Sequence, residues 1–289
     1  MKRLLALLGL LCILLCACTG PVETADIAAT TLPVYQFTAM LCEGTGLTVT
    51  RLVNESVSCL HDYSLQVSQV RAVEQARLIV ISGAGLEDFM NDLLQGRQVI
   101  DASQGISLLE SCHDHAHEHE GHHHEHDAHI WLSPFNAMAM ADNIFSGLCA
   151  QFPEHKEVFE ENRNTLLLQL QDLQNYATEQ LRDLSGRELI TFHDGFSYLA
   201  QAFDLQILAA VEEESGAETS AKELIRLIEL VQQHDLGAIF TEQNGSTASA
   251  AIISRETGVR TFTLDMAISG NDYFAAMYHN IQTIREALQ

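Results

Sequence analysis

Short apolar or β-branched runs recur along this chain in a regular rhythm, each followed by a helical pattern. In the first half the runs are Ile27 to Thr31, Thr48 to Val53, Leu78 to Ser82 and Gln98 to Asp101. In the second they are Glu188 to Phe192, Leu205 to Ala209, Ala238 to Thr241 and Arg260 to Leu264. Strands that alternate with helices pair in parallel, because a crossover helix returns the chain to the end of the sheet where it started. The rhythm predicts an α/β fold of two lobes, each a roughly four-stranded parallel sheet flanked by helices.

Between the two halves lies a different pattern. Residues 153–185 open on Pro153-Glu154, suited to a helix start, and Ser185-Gly186 suits a stop. Leu166, Leu170, Leu173, Ala177, Leu181 and Leu184 are spaced 4, 3, 4, 4 and 3, which makes one apolar stripe on a helix. About 31 helical residues would run roughly 46 Å, long enough to brace both lobes as one rigid linking helix. A coiled-coil dimer arm is the other use of such a stripe, but here it lasts only about three heptads. The domains expected are a leader over 1–17, an N-terminal lobe over 18–152, the linking helix over 153–185 and a C-terminal lobe over 186–289.

The leader is legible in its own right. Lys2 and Arg3 precede an almost wholly apolar run from Leu4 to Leu15, the layout of a signal peptide, and the run is short for a permanent membrane span. Leu15-Cys16-Ala17-Cys18 resembles a bacterial lipobox, with Cys18 as the lipidated first residue of the mature protein. An ordinary secretory signal is the alternative, and both put the protein outside the cytoplasm, with the lipobox anchoring it to the bacterial membrane. Beyond the leader stand Cys42, Cys59, Cys112 and Cys149, an even number that permits up to two disulfides without fixing a pairing.

A formal charge of −24 argues against nucleic acid and anionic membrane surfaces as partners and favours cations. One segment then names the chemistry. His113, His115, His117, His119, His122, His123, His124 and His126 fall in a 14-residue window interleaved with Asp and Glu, within a loop over 112–128. No packed core can use such a composition, which reads as a solvated loop. Imidazole suits zinc, copper, nickel and cobalt, and ligands this redundant make weak, multiple sites. An engineered tag would sit at a terminus and lack the interspersed acids.

A selective site needs ligands on ordered elements. His61 lies just past the second strand run, His129 ends the His-rich loop ahead of a helix start at Ser133-Pro134, His193 follows Leu189 to Phe192, and Asp265 follows Phe262 to Leu264. Three of the four follow predicted strands, and in open α/β sheets ligands bind outside the carboxyl ends of the strands. Two fall in each half, so a site using all four would lie between the lobes. Any one of these histidines alone would more often be a hydrogen-bonded structural residue; their shared placement beside the His-rich loop is what points to metal. His155, His234 and His279 sit on predicted helices among polar neighbours and read as surface residues.

Several blocks in this order carry a resemblance to a family. They are Thr30-Thr31-Leu32-Pro33-Val34-Tyr35, His61-Asp62-Tyr63 with Ser68, Ile81 to Glu87, His129 to Pro134, Thr191 to Phe196, Phe240-Thr241-Glu242, Glu256 to Val259 and Leu264-Asp265. The mature chain resembles the zinc- and manganese-binding solute-binding lipoproteins of bacterial ABC transporters. That resemblance implies two lobes joined by a rigid helix, and a metal held in the cleft by His61, His129, His193 and Asp265. It also implies a cognate permease in the membrane as partner, acting on a monomeric binding protein. His in Thr191-Phe192-His193-Asp194 is similar to the zinc members, where manganese members usually carry Glu. Three imidazoles and one carboxylate likewise suit tetrahedral Zn²⁺, whereas manganese prefers more oxygen. Leu60 departs from those zinc members that have Glu there, so Asp265 or a water must complete the shell. Cys59 is unusual for the family and is open as an alternative ligand or half of a disulfide.

The function expected is capture of Zn²⁺ outside the cytoplasm and its delivery to a permease. The alternatives are a manganese-binding member of the same family, a metal buffer or cell-surface adhesin whose His-rich loop is the whole function, and, least supported, a zinc hydrolase. A hydrolytic zinc keeps an open position for water beside a base; Asp62 and Glu242 supply carboxylates, but a fourth ligand at Asp265 would close the shell.

Overall fold

A computed structural model of the protein describes residues 25–54, 60, 63–110, 126–211 and 219–289. The leader, the lipobox with Cys18, His61 with Cys59, and His113 to His124 of the His-rich loop lie outside the described residues.

The described chain forms two sheets of the same design. In the first half β1 (Ile27–Ala29), β2 (Val49–Arg51), β3 (Leu78–Ile81) and β4 (Val99–Asp101) are ordered β2-β1-β3-β4, and every pairing is parallel. In the second half β5 (Glu188–Thr191), β6 (Gln206–Ala210), β7 (Ala238–Glu242) and β8 (Arg260–Leu264) repeat that order as β6-β5-β7-β8, again all parallel. The inner strands β1, β3 and β7 are largely apolar because helices cover both faces of each sheet, whereas the edge strands β2 and β8 carry Thr and Arg. Alternate residues feed different cores. Ile27, Ala29, Leu78 and Val80 join the large central core, while Ala28 and Ile79 pack with Leu52, Val73 and Met90 beneath α2 (Val67–Gln75) and α3 (Asn91–Leu94). In the second sheet Leu189, Ala238 and Phe240 face the central core. Ile190 and Ile239 pack outward against Leu227, Val231 and Ile253 of α7 (Ala221–Gln233) and α8 (Ala248–Thr257).

The linking helix is as the stripe requires. α5 (Lys156–Leu181) runs 26 residues between 3-10 turns at Pro153–His155 and Arg182–Leu184, and the stripe from Leu166 to Leu184 is buried throughout. It packs on α1 (Leu32–Leu41) and α4 (Pro134–Gln151) of the first half and on α9 (Tyr273–Leu288) of the second. The stripe therefore serves the central core of its own chain. Each fully buried Leu in it contributes about 1.5–3 kcal/mol of transfer free energy, which makes the helix a brace for both sheets. His155 closes the 3-10 turn instead of riding on a helix and is half-buried, its ring edge-on to Phe159 at 6.0 Å, whereas His234 and His279 are exposed as expected.

The two halves also meet directly. Leu32 donates its amide to Ile268 O at 3.1 Å, Tyr273 donates its amide to Gln36 Oε1 at 2.7 Å, and the Phe37 and Tyr273 rings meet edge to face at 5.0 Å. Leu41, Phe159, Leu170, Phe240 and Ile281 belong to one continuous core running through both halves. Cys42 and Cys149 are both free thiols, and burial pushes the Cys42 thiol up to about 12. Among the described residues no helix is long and apolar enough to cross a membrane.

Candidate metal centre

His193 leaves the carboxyl end of β5 two residues beyond Thr191, whose hydroxyl donates to the His193 carbonyl at 3.0 Å. His129 precedes a 3-10 turn, Ile130–Leu132, which passes into α4 through Ser133; the Ser133 hydroxyl accepts from Asn136 N, and Pro134 sets the first helical φ. A buried Trp131 follows His129. Its indole nitrogen donates across the halves to Met266 O at 2.8 Å, and Tyr273 donates its hydroxyl to Trp131 O at 2.8 Å. These bonds fix where His129 emerges relative to the second sheet.

The two imidazoles, 3% and 6% exposed, meet edge to face with Nε2 of His129 only 3.4 Å from Nε2 of His193. The far nitrogen of each ring faces a buried carboxylate. His129 donates Nδ1–H to Asp127 Oδ1 at 2.9 Å, and that same oxygen accepts the His129 backbone N–H at 2.8 Å. His193 Nδ1 lies 3.2 Å from Glu242 Oε2 at the end of β7. Asp127 favours the hydrogen on Nδ1 of His129, and the Glu242 carboxylate favours the same tautomer for His193, which turns two Nε2 lone pairs toward each other. Two lone pairs at this distance repel unless a cation lies between them. Zinc–nitrogen bonds of about 2.0–2.1 Å at the tetrahedral angle put two ligand nitrogens about 3.3–3.4 Å apart, so the pair fits such an ion. Imidazoles backed by carboxylates are also the arrangement that orients histidine ligands and raises their basicity.

Gly195 lets the rings come this close. A Cβ there would stand 2.5 Å from Met266 Cε, 2.9 Å from His193 Cδ2 and 3.0 Å from His129 Cγ. The constraint is steric contact with both rings at once.

Asp265 stands directly after β8, half-buried. Its amide donates to Asn280 Oδ1 at 2.7 Å, its carbonyl accepts from Asn280 Nδ2 at 2.7 Å, and its Oδ1 accepts the Ala267 amide at 2.7 Å. The next residue, Met266, touches both histidine segments, through Trp131 and at Gly195. Among the described residues no three His, Cys, Asp or Glu side chains converge on one point to hold a metal ion. The structure thus brings His129 and His193 together and puts Asp265 on the adjoining segment, while His61 lies outside the described residues. Asp127 was visible in the sequence only as a neighbour of His129. The Asp-x-His spacing is the signal that would have marked it as the partner of that ring.

Comparison with known proteins gives the family and the fold. The model of the family described as "ZnuA: Zinc-uptake complex component A periplasmic" matches residues 27–287. The "Zinc-binding lipoprotein AdcA" of Streptococcus pneumoniae (strain ATCC BAA-255 / R6) is 31% identical over 99% of this chain, which spans 61% of that relative's length. The crystal structure of ZnuA superposes with a TM-score of 0.79 at 29% identity, covering 92% of this chain and all of that one. The crystal structure of Zn(II)-bound AdcA from Streptococcus pneumoniae gives 0.77 at 29% identity over 92% of this chain and 58% of that one.

Proposed function

The chain belongs to the family of periplasmic zinc-uptake complex component A, and from that premise we propose that it is the extracytoplasmic solute-binding protein of a zinc ABC transporter. It captures Zn²⁺ between its lobes and delivers it to a membrane permease, working as a monomer anchored through lipidated Cys18. His129 and His193 supply two ligands through Nε2, and His61 and Asp265 supply the other two, one pair from each half of the chain. His113 to His126 form an auxiliary, weaker metal loop.

The observation that carries this reading is the pair of Nε2 atoms 3.4 Å apart, with buried carboxylates behind both rings. Its spacing suits a four-coordinate ion, and its nitrogen donors suit borderline-soft zinc better than manganese. His at position 193, with no carboxylate in its place, favours zinc over the manganese branch. A shell closed by four protein ligands is that of a carrier and not of a hydrolase, which needs an open position for water.

Competition titration of the metal-free mature protein tests the assignment. Zn²⁺ should bind at one tight site per chain and displace Mn²⁺ at equal concentration, and comparable occupancy by both ions would remove zinc as the cargo.

A further inference from the structure

Tyr198 stands on α6 (Ser197–Ala202), five residues after His193, and its side chain leaves the second half of the molecule to enter the first. It is 2% exposed, and its hydroxyl makes two hydrogen bonds, donating to Asp127 O at 2.8 Å and accepting the Leu109 amide at 3.0 Å. Those partners flank the His-rich segment. Leu109 O accepts the Asp127 amide at 2.9 Å, and the next residue outward on each side, Glu110 and His126, pair as an antiparallel bridge. One phenol oxygen therefore joins both ends of the segment at its root. Burial pushes the phenol up to about 12, so it stays a neutral donor and acceptor at physiological pH.

The same bonds close a circuit through the metal centre. Asp127 carries the Tyr198 bond on its carbonyl and holds His129 with its side chain. The His129 ring faces His193, and His193 returns along five residues of chain to Tyr198. A shift of residue 127 would turn the His129 ring, because the same carboxylate oxygen fixes both its amide and its Nδ1. A ligand ring is only as well placed as the group behind it.

We infer that Tyr198 is a positioning residue of the metal centre, its hydroxyl holding Asp127, and through it the His129 ring, in register with His193 at the root of the His-rich segment. The inference rests on the zinc-binding reading above and adds a residue 71 positions from Asp127 in sequence to the parts that tune the site.

The test uses the full mature chain with Tyr198→Phe, Asp127→Ala, the double variant, and Tyr176→Phe as a control whose hydroxyl accepts from the exposed Gln282 instead. Zn²⁺ affinity is read by chelator competition and site geometry by the visible absorption of Co²⁺ bound in its place. Tyr198→Phe should weaken Zn²⁺ binding on the order of tenfold, the low end for groups that orient a ligand, and shift the Co²⁺ bands. In the Asp127→Ala background the same change should cost less than about twofold, because residues acting through one path are not additive; Tyr176→Phe should change neither readout. Affinity within about twofold of wild type with an unchanged Co²⁺ spectrum, or equal effects in both backgrounds, would overturn the inference. If the wild-type chain itself lacks a tight Zn²⁺ site, the zinc reading fails first and this inference with it, an outcome visible before any variant is compared.

Discussion

The two sheets share one strand order, and their carboxyl ends carry two buried glutamates put to opposite uses. Beyond β3, Glu87 is turned inward to its own lobe. Its Oε1 accepts from the Thr30 hydroxyl at 2.6 Å and the Ser82 amide at 2.8 Å, and its Oε2 accepts the Gly83 amide at 2.9 Å. Thr31 and Ser82 close the same knot through their hydroxyls at 2.8 Å. At the end of β7, Glu242 instead faces the Nδ1 of a histidine whose other nitrogen looks across at the first half. One end is sealed by backbone donors; the other backs an imidazole aimed at the facing lobe. Topology alone makes both ends available for a ligand, and what each carboxylate touches separates a glutamate that seals its own lobe from one that backs an imidazole.

Removing a ligand should have the largest effect. His193→Ala deletes an Nε2 and leaves Glu242 without its ring, so Zn²⁺ affinity should fall by at least tenfold, and by more than for any change behind the ring. Isothermal titration checks it, and an unchanged affinity would move the site elsewhere. Next come the carboxylates that orient the rings: Asp127→Asn and Glu242→Gln should each lower affinity by about 10–100-fold while leaving one zinc per chain. Equal losses from Glu87→Gln would erase the distinction between the two ends.

Gly195→Ala sharpens the same point by geometry. The added Cβ must push apart Met266, His193 and His129, so the Nε2 pair should open and zinc affinity drop about tenfold. Competition against Mn²⁺, which asks for more ligands and longer bonds, should then favour zinc less than in the parent.

The smallest effect belongs to Glu87 and appears in stability, not in binding. Burial raises its carboxyl to about 7, against the hydrogen bonds from Thr30, Ser82 and Gly83 that favour the ionised form. With the folded value above the unfolded one, its contribution is fully present below about pH 4.5 and is lost as pH rises through about 7. Denaturant unfolding of the metal-free protein between pH 5 and 7.5 should therefore show wild type gaining on Glu87→Gln toward the acid side. Identical pH slopes for the two proteins would contradict that ionisation, and zinc affinity at pH 7.5 should change less than about twofold.

Much of this was legible in the sequence because it was periodic or local. The eight strand runs correspond to β1 to β8 within one or two residues at their ends, and the stripe from Leu166 to Leu184 is the buried face of α5 with its final turn. Hydrophobic spacing reports burial directly, so these elements needed no tertiary knowledge. His129 and His193 were legible as a loop-end and a strand-end histidine, and 64 residues of separation do not hide a pair that the two halves present to each other. Tyr198 was not found. It reads as an apolar position on a short helix, and its bonds to Asp127 and Leu109 span 71 and 89 residues. Gly195 is likewise mute in sequence, since its role is the absence of an atom between two rings that meet only after folding.

If both halves of the chain hold one zinc ion jointly, anomalous scattering at the zinc edge will locate it between them. Crystals of the zinc-loaded protein lacking residues 113–125 should show one strong peak between Nε2 of His129 and Nε2 of His193, about 2.0–2.1 Å from each, with His61 and Asp265 completing the shell. A zinc peak away from those two nitrogens, or no tightly bound zinc once the His-rich segment is gone, would contradict it.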